Sequence, residues 1–181
     1  MATSHYSFWL MPSVADRRYW QQVIHDLAAE FEAPVFTPHV TLQVGDNIDS
    51  GNIEQLLMTV TNKTRALCLQ IDAVSYDTQF TKTLFLQLVE SPEASQLSHA
   101  LAREGLGTED YLLNPHISLL YKNNLSDAVK QGAGEKIQVP GWTVFFDELW
   151  AVECPGKCLT HADVESLKPV AKVKLERPPL P

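Results

Sequence analysis

Two five-residue segments share one pattern, and they restrict the folds open to this chain more than any other feature. Pro38-His39-Val40-Thr41-Leu42 and Pro115-His116-Ile117-Ser118-Leu119 both read Pro-His-apolar-(Thr/Ser)-Leu, with 77 residues from His39 to His116. On the chain's own composition about 0.006 such matches would arise by chance, too few for two to be noise. Each segment opens a run that reads as a β-strand. Residues i and i+2 of a strand share a face, so His39 and Thr41 point the same way, as do His116 and Ser118. If the two strands neighbour each other, two imidazoles and two hydroxyls meet in one groove.

That set has a definite chemistry. Two imidazoles with pKa values near neutrality can work as one base and one acid at pH 7. Two hydroxyls can donate to non-bridging phosphate oxygens. The combination suits phosphodiester cleavage in which one histidine activates water and the other protonates the leaving oxygen. It calls for no lysine and no metal, although charge neutralisation is then incomplete. Two edge-of-core histidines, each fixing a turn after a proline, would explain one motif well and a matched pair poorly.

The rest of the chain reads as alternating strands and helices. Strands are expected at 5–11, 39–45, 66–76, 82–90, 116–121, 142–153 and 168–175. Helices are expected from Asp16, as cap, to Phe31, from Asp49 or Ser50 to Asn62, over 91–106 from a Ser-Pro-Glu entry, and over 125–131, stopped by Gly132 and Gly134. No linker divides the sequence. The expectation is one α+β domain over residues 1–176, with Arg177 to Pro181 as a frayed tail.

Composition narrows the function classes. With 181 residues and 45% hydrophobic residues the chain can build one sizeable core. A net charge of −8 is a poor match for long nucleic acid, whose affinity comes from cations on phosphates. It leaves room for a small phosphate ligand in a locally neutral or positive pocket. No apolar run approaches the roughly 18 to 20 residues of a membrane span, and the start shows no signal peptide. Three cysteines do not make a disulfide framework. These features give a cytoplasmic, membrane-free protein, with a monomer as the default.

The paired motifs resemble those of the two-histidine (2H) phosphoesterase superfamily, and within it the plant and yeast type of cyclic nucleotide phosphodiesterase. Tyr6 to Pro12, with Trp9, looks like the family's opening strand. Pro34 to Thr41 is similar to its first motif with the lead-in, and Asn114 to Tyr121 to its second. The resemblance implies a bilobal fold of two similar lobes, each with an antiparallel sheet and outer helices, and an active-site cleft between them. It implies hydrolysis of ADP-ribose 1″,2″-cyclic phosphate to ADP-ribose 1″-phosphate, and of nucleoside 2′,3′-cyclic phosphates to 2′-phosphates. It implies catalytic His39 and His116, phosphate-binding Thr41 and Ser118, and pocket aromatics Trp9 and Tyr121. No cofactor or metal is implied, and the only partner is a small cyclic nucleotide-type substrate. The disulfides of some plant members cannot all be present with three cysteines, and the stretch after Gly156 does not match. The rivals are an RNA-end-processing 2H enzyme, either 2′-5′ RNA ligase-like or an exonuclease, and a non-catalytic nucleotide-binding module.

Several residues carry a second reading. Trp9 could be a core tryptophan. Tyr121 lies five residues after His116, so an ideal strand turns it to the opposite face unless a bulge or the strand end brings it round. Phe80 and Lys82 follow a turn at 77–79 and could sit at the cleft mouth, with Phe80 a candidate pocket residue. Cys154, Cys158 and His161 give three potential zinc ligands where a structural site needs four. Pro155-Gly156 makes a plain loop the simpler account, with a strained disulfide as an alternative. Cys68 reads as a small buried hydrophobe, and Arg17-Arg18 as surface cations.

Overall fold

The computed structural model describes residues 5–46, 48, 50–62 and 64–176. Asp49 and the expected frayed tail at 177–181 lie outside them. The elements are β1 (His5–Pro12), α1 (Val14–Phe31), β2 (Val40–Asp46), α2 (Ile53–Thr61), β3 (Leu67–Tyr76), β4 (Leu84–Leu88), α3 (Pro92–Arg103), β5 (His116–Leu120), α4 (Asp127–Glu135), β6 (Thr143–Cys154), α5 (His161–Glu165) and β7 (Lys168–Lys174). All seven strands join one antiparallel sheet in the order β2-β1-β6-β3-β4-β5, with β7 added against β6. The fold is α+β, as the alternation of patterns predicts.

The order contains a repeat. β1-α1-β2-α2-β3 is followed by β4-α3-β5-α4-β6, and exchanging the two sets reverses the strand order onto itself. The join is β3. Its first half, Leu67 to Gln70, pairs with β6, and its second half, from Ile71, pairs with β4. The two motif strands, β2 and β5, are therefore the outermost strands of the path and not hydrogen-bonded neighbours. They still approach each other, with Cα atoms of β2 and β5 within 8 Å. The right-handed twist of a many-stranded sheet curls its ends together.

Local chemistry explains most element limits. α1 starts one turn before its expected cap because Ser13 accepts from the Asp16 amide, while the Asp16 carboxylate accepts from the Phe145 amide and ties the helix start to β6. The helix buries Trp20, Ile24, Leu27 and Ala28 and ends at Glu32, whose φ of 50° is left-handed. α3 follows its Ser91 cap and Pro92 as expected.

α4 runs through both glycines that were expected to stop it, from Asp127 to Glu135. A Cβ at Gly134 would sit 3.4 Å from Leu84 and from Val74, so the glycine lets the helix lie close on β3 and β4. Cys68 is exposed, not buried, because β3 alternates between a covered and an open face and Cys68 falls on the open one. The short α5, unexpected from the sequence, is built on a capping box between Thr160 and Asp163. Among the described residues no helix is long and apolar enough to cross a membrane.

Candidate active site

Each motif strand pairs with the strand before its helix, and each pairing is interrupted at the same place. On β2, Thr41 opposes Trp9 and Gln43 opposes Phe8, so Leu42 is an extra residue. On β5, Ser118 opposes Phe85 and Leu120 opposes Leu84, so Leu119 is the extra residue. The leucine that closes each five-residue motif is thus a β-bulge. A bulge reverses the alternation of faces beyond it. Tyr121 consequently rejoins the face of His116 and lines the same cavity, which an ideal strand would have prevented.

The histidines are set in matching ways. His39 Nδ1 lies 2.7 Å from the Thr37 carbonyl oxygen, and His116 Nδ1 lies 2.8 Å from that of Asn114. A carbonyl oxygen only accepts, so Nδ1 carries the hydrogen in both rings. Nε2 of each ring has no protein partner among the described residues. Each ring also meets the aromatic opposite its motif hydroxyl. Trp9 stacks on His39 at 3.6 Å and 9°, and Phe85 meets His116 edge-on at 5.6 Å and 73°.

Burial lowers both pKa values, that of His39 to about 4. The carbonyl hydrogen bonds oppose this shift, and the charge of His116 adds to it at His39. In the free protein both rings are neutral at pH 7.

Both histidines line one cavity of about 280 Å³ together with Ser7, Trp9, Thr41, Val44, Tyr111 and Tyr121. That is near the lower end of the roughly 300–1,000 Å³ range of small-ligand sites. Trp9 is both things the sequence allowed: it is 5% exposed, belongs to a small apolar cluster with Met11, Trp150 and Val152, and still lines the cavity. Thr41 lines the cavity, and its hydroxyl has no hydrogen-bond partner among the described residues.

Ser118 differs. It is 6% exposed, does not line the cavity, and donates its hydroxyl proton to the Thr81 carbonyl at 2.7 Å. Phe80 is not in the lining either. It packs behind Tyr121 at 5.7 Å, while Phe36 stacks on Tyr121 at 3.7 Å.

The remaining walls come from residues that the motifs do not reveal. Gln79, Thr81 and Lys82 enter from a single 3-10 turn, Phe80–Lys82, and the residue before it; Cys154, Gly156 and Cys158 come from the end of β6 and the loop after it, and Leu167 from just before β7. Only the turn at 77–79 and the Pro155-Gly156 pair hinted at them. Cys154 and Cys158 are free thiols, and burial raises their pKa values, that of Cys158 to about 11, so both stay protonated at neutral pH. Neither the disulfide nor the zinc reading is realised: His161 sits on α5 beside Glu165, and no three His, Cys, Asp or Glu side chains gather as metal ligands among the described residues. Arg17 pairs with Glu148 and lies over Trp150, away from the cavity lining.

The fold and the two motifs meet here in the two-histidine phosphoesterase pattern. A family model described as cyclic phosphodiesterase-like protein matches residues 1–175, and the chain belongs to that family. A cyclic phosphodiesterase of Arabidopsis thaliana is 28% identical over 131 residues, covering 72% of each chain.

Similar solved structures include TT0787 of Thermus thermophilus, at 13% identity and a TM-score of 0.61, covering 96% of this chain and 98% of that one. E. coli LigT complexed with NADP+ matches at 16% identity and a TM-score of 0.59, with the same coverage of 96% and 98%. At these identities the structures speak to the fold alone.

Proposed function

We propose that the chain hydrolyses small cyclic phosphates on ribose: nucleoside 2′,3′-cyclic phosphates to 2′-phosphates, and ADP-ribose 1″,2″-cyclic phosphate to ADP-ribose 1″-phosphate. The observation that carries this reading is the pair of imidazoles, each with Nδ1–H fixed to a carbonyl and Nε2 left for a ligand. The activity in the name of the Arabidopsis relative supports it.

Bound phosphate, itself an anion, draws a proton onto one ring and leaves the other as base. The base takes a proton from water, the oxygen attacks phosphorus, and the bond to one ribose oxygen breaks. The protonated ring gives its proton to that departing oxygen. Water and a cyclic diester become one phosphate monoester. The Thr41 hydroxyl donates to a non-bridging oxygen as charge builds there. Trp9 and Tyr121 provide flat walls for the ribose and its substituent.

The test is a product assay with excess chelator, using adenosine 2′,3′-cyclic phosphate and ADP-ribose 1″,2″-cyclic phosphate, read by phosphorus NMR. Formation of 2′-AMP or ADP-ribose 1″-phosphate is expected. Turnover of neither compound would overturn the reading and turn attention to RNA ends.

A further inference from the structure

Gln43 is a buried amide that the proposed mechanism does not use. It is 1% exposed and sits two residues after Thr41 on β2. Regular alternation would put it on the cavity face with His39 and Thr41. The bulge at Leu42 reverses the faces, so Val44 lines the cavity and Gln43 turns inward against α3. There its Nε2 donates to the Ser98 hydroxyl at 3.1 Å, and that hydroxyl donates at 2.8 Å to the carbonyl of Leu42, the bulge residue.

The same amide grips the chain between α3 and β5 at Thr108. Nε2 donates to the Thr108 carbonyl at 3.1 Å, and Oε1 accepts from the Thr108 amide at 3.2 Å. Both backbone groups of one residue are held, as a partner strand would hold them. Gly107 permits this approach, because a Cβ there would overlap Gln43 Oε1. The Thr108 carbonyl also accepts from the Tyr111 amide at 3.3 Å and closes a turn. One buried side chain on the first motif strand therefore fixes the turn that carries Tyr111 into the cavity wall.

Tyr111 differs from the other aromatic walls. Trp9 has one face against His39, and Tyr121 has one against Phe36. Tyr111 is half-buried and meets no other ring among the described residues.

We infer that Tyr111 is a specificity-determining residue that stacks on the nucleobase of the substrate, and that Gln43 is a positioning residue that holds the Tyr111 turn against β2. The inference rests on the proposed hydrolysis. The phosphate and the ribose engage the histidines and the motif hydroxyls, and a nucleoside substrate brings one further group, a flat base. Stacking on an aromatic ring gains such a base about 10-fold in affinity. A ring held in place from the interior is not ordered anew on each binding event, so little of that gain is lost. The base lies away from the breaking bond, so the contact is the same before and during ring opening and acts on KM and not on kcat.

The test compares adenosine 2′,3′-cyclic phosphate with methyl ribofuranoside 2′,3′-cyclic phosphate, which has the sugar and the phosphate but no base. Tyr111→Ala should raise KM for the adenosine substrate about 10-fold with kcat little changed, and should lower the preference for it over the baseless one by the same factor. Tyr111→Phe should keep most of that preference, because the ring stacks and not the hydroxyl. Gln43→Met should lower the preference about 3-fold alone and no further beside Tyr111→Ala, as expected when one residue acts through the other. Gly107→Ala reaches the same clamp from the other side and should act as Gln43→Met does.

Amide hydrogen exchange reads the clamp without substrate. The Thr108 and Tyr111 amides should exchange about 10-fold faster in Gln43→Met, while those of β1 and β6 stay protected.

Equal losses on both substrates, or a Tyr111→Phe protein as impaired as Tyr111→Ala, overturns the stacking role. Unchanged exchange at Thr108, or a Gln43→Met loss that adds in full to that of Tyr111→Ala, overturns the positioning role. Turnover of neither compound by the parent protein overturns the hydrolytic reading. Binding of 2′-AMP against methyl ribofuranoside 2′-phosphate then judges Tyr111, and a preference unchanged in Tyr111→Ala overturns its role as well.

Discussion

The two motif strands look alike in sequence and do different work in the structure. Both carry a histidine fixed by the carbonyl two residues earlier, an aromatic across the ladder, and a bulge at the closing leucine. They part at the hydroxyl. Thr41 lines the cavity with its hydroxyl unpartnered among the described residues, whereas Ser118 is tied to the turn that brings in Lys82. They also part at the ring contact. Trp9 covers the His39 face almost flat, while Phe85 offers His116 only an edge and carries a cation on its own ring. A repeated motif therefore fixes the backbone and the imidazole in each half, and the neighbours decide what each half contributes.

The largest test asks whether the halves are equally necessary. Replacing either His39 or His116 by Ala should lower turnover at least ~10²-fold, with the double variant little worse than either single one, because the two act as a unit. A folded His39→Ala protein of near-normal activity would break the equivalence; far-UV circular dichroism checks the fold.

The next test uses their unequal burial. The folded pKa of His39 is depressed from 6.5 to about 4. Between those values the unfolded chain binds a proton that the folded chain refuses. The contribution to stability is thus fully present above pH 6.5, falls as the pH drops, and levels off below about pH 4. The total is about 3 kcal/mol. Urea melts at several pH values should show this slope, and His39→Asn should flatten it more than His116→Asn does.

A smaller effect separates the hydroxyls. Thr41→Val should cut kcat/KM about 10-fold with little change in stability, since one charge-assisted hydrogen bond to phosphate is lost. Ser118→Ala should cost about 1 kcal/mol in stability by leaving the Thr81 carbonyl without its donor. Equal melting midpoints for the two variants would sink the distinction.

The smallest compares the corresponding helices α2 and α4. α4 alone of the two contains glycines, and Gly132 has nothing within 4 Å of an added Cβ. Gly132→Ala should raise stability by roughly 0.5–1 kcal/mol and leave turnover unchanged; thermal melts and a rate assay decide.

How far the site could be read from the sequence follows the range of the interactions. His39, Thr41, His116 and Trp9 are legible because the strand period and a repeated motif are local. Tyr121 is legible only in half, because its facing depends on a bulge that shows only in cross-strand register. Lys82 and the 154–158 loop are legible only as neighbours of turns, at 77–79 and at Pro155-Gly156, while Phe85 and Tyr111 depend on which strand pairs with which, and no local pattern marks them.

The same limit explains the misjudged glycines of α4, whose Gly134 serves a contact with β3 and β4 and not a helix end. Strand–helix alternation made the α+β class legible. The sheet order was not, and with it the fact that the motif strands meet as the two ends of one curled sheet and not as neighbours.

That last arrangement has a consequence for the protein's company. A sheet edge is a row of unpaired amides and carbonyls that invites another strand to dock, and folded proteins usually blunt it. Here the two outermost strands of the path, β2 and β5, adjoin the motif histidines, so a permanent extra strand on either would crowd a histidine. β5 begins directly after Pro115, and Pro38 lies two residues before the start of β2; each proline removes one donor near where a stranger would begin to pair. An edge left open beside the cavity is also a standing invitation to self-association, and the two prolines stand guard at its threshold.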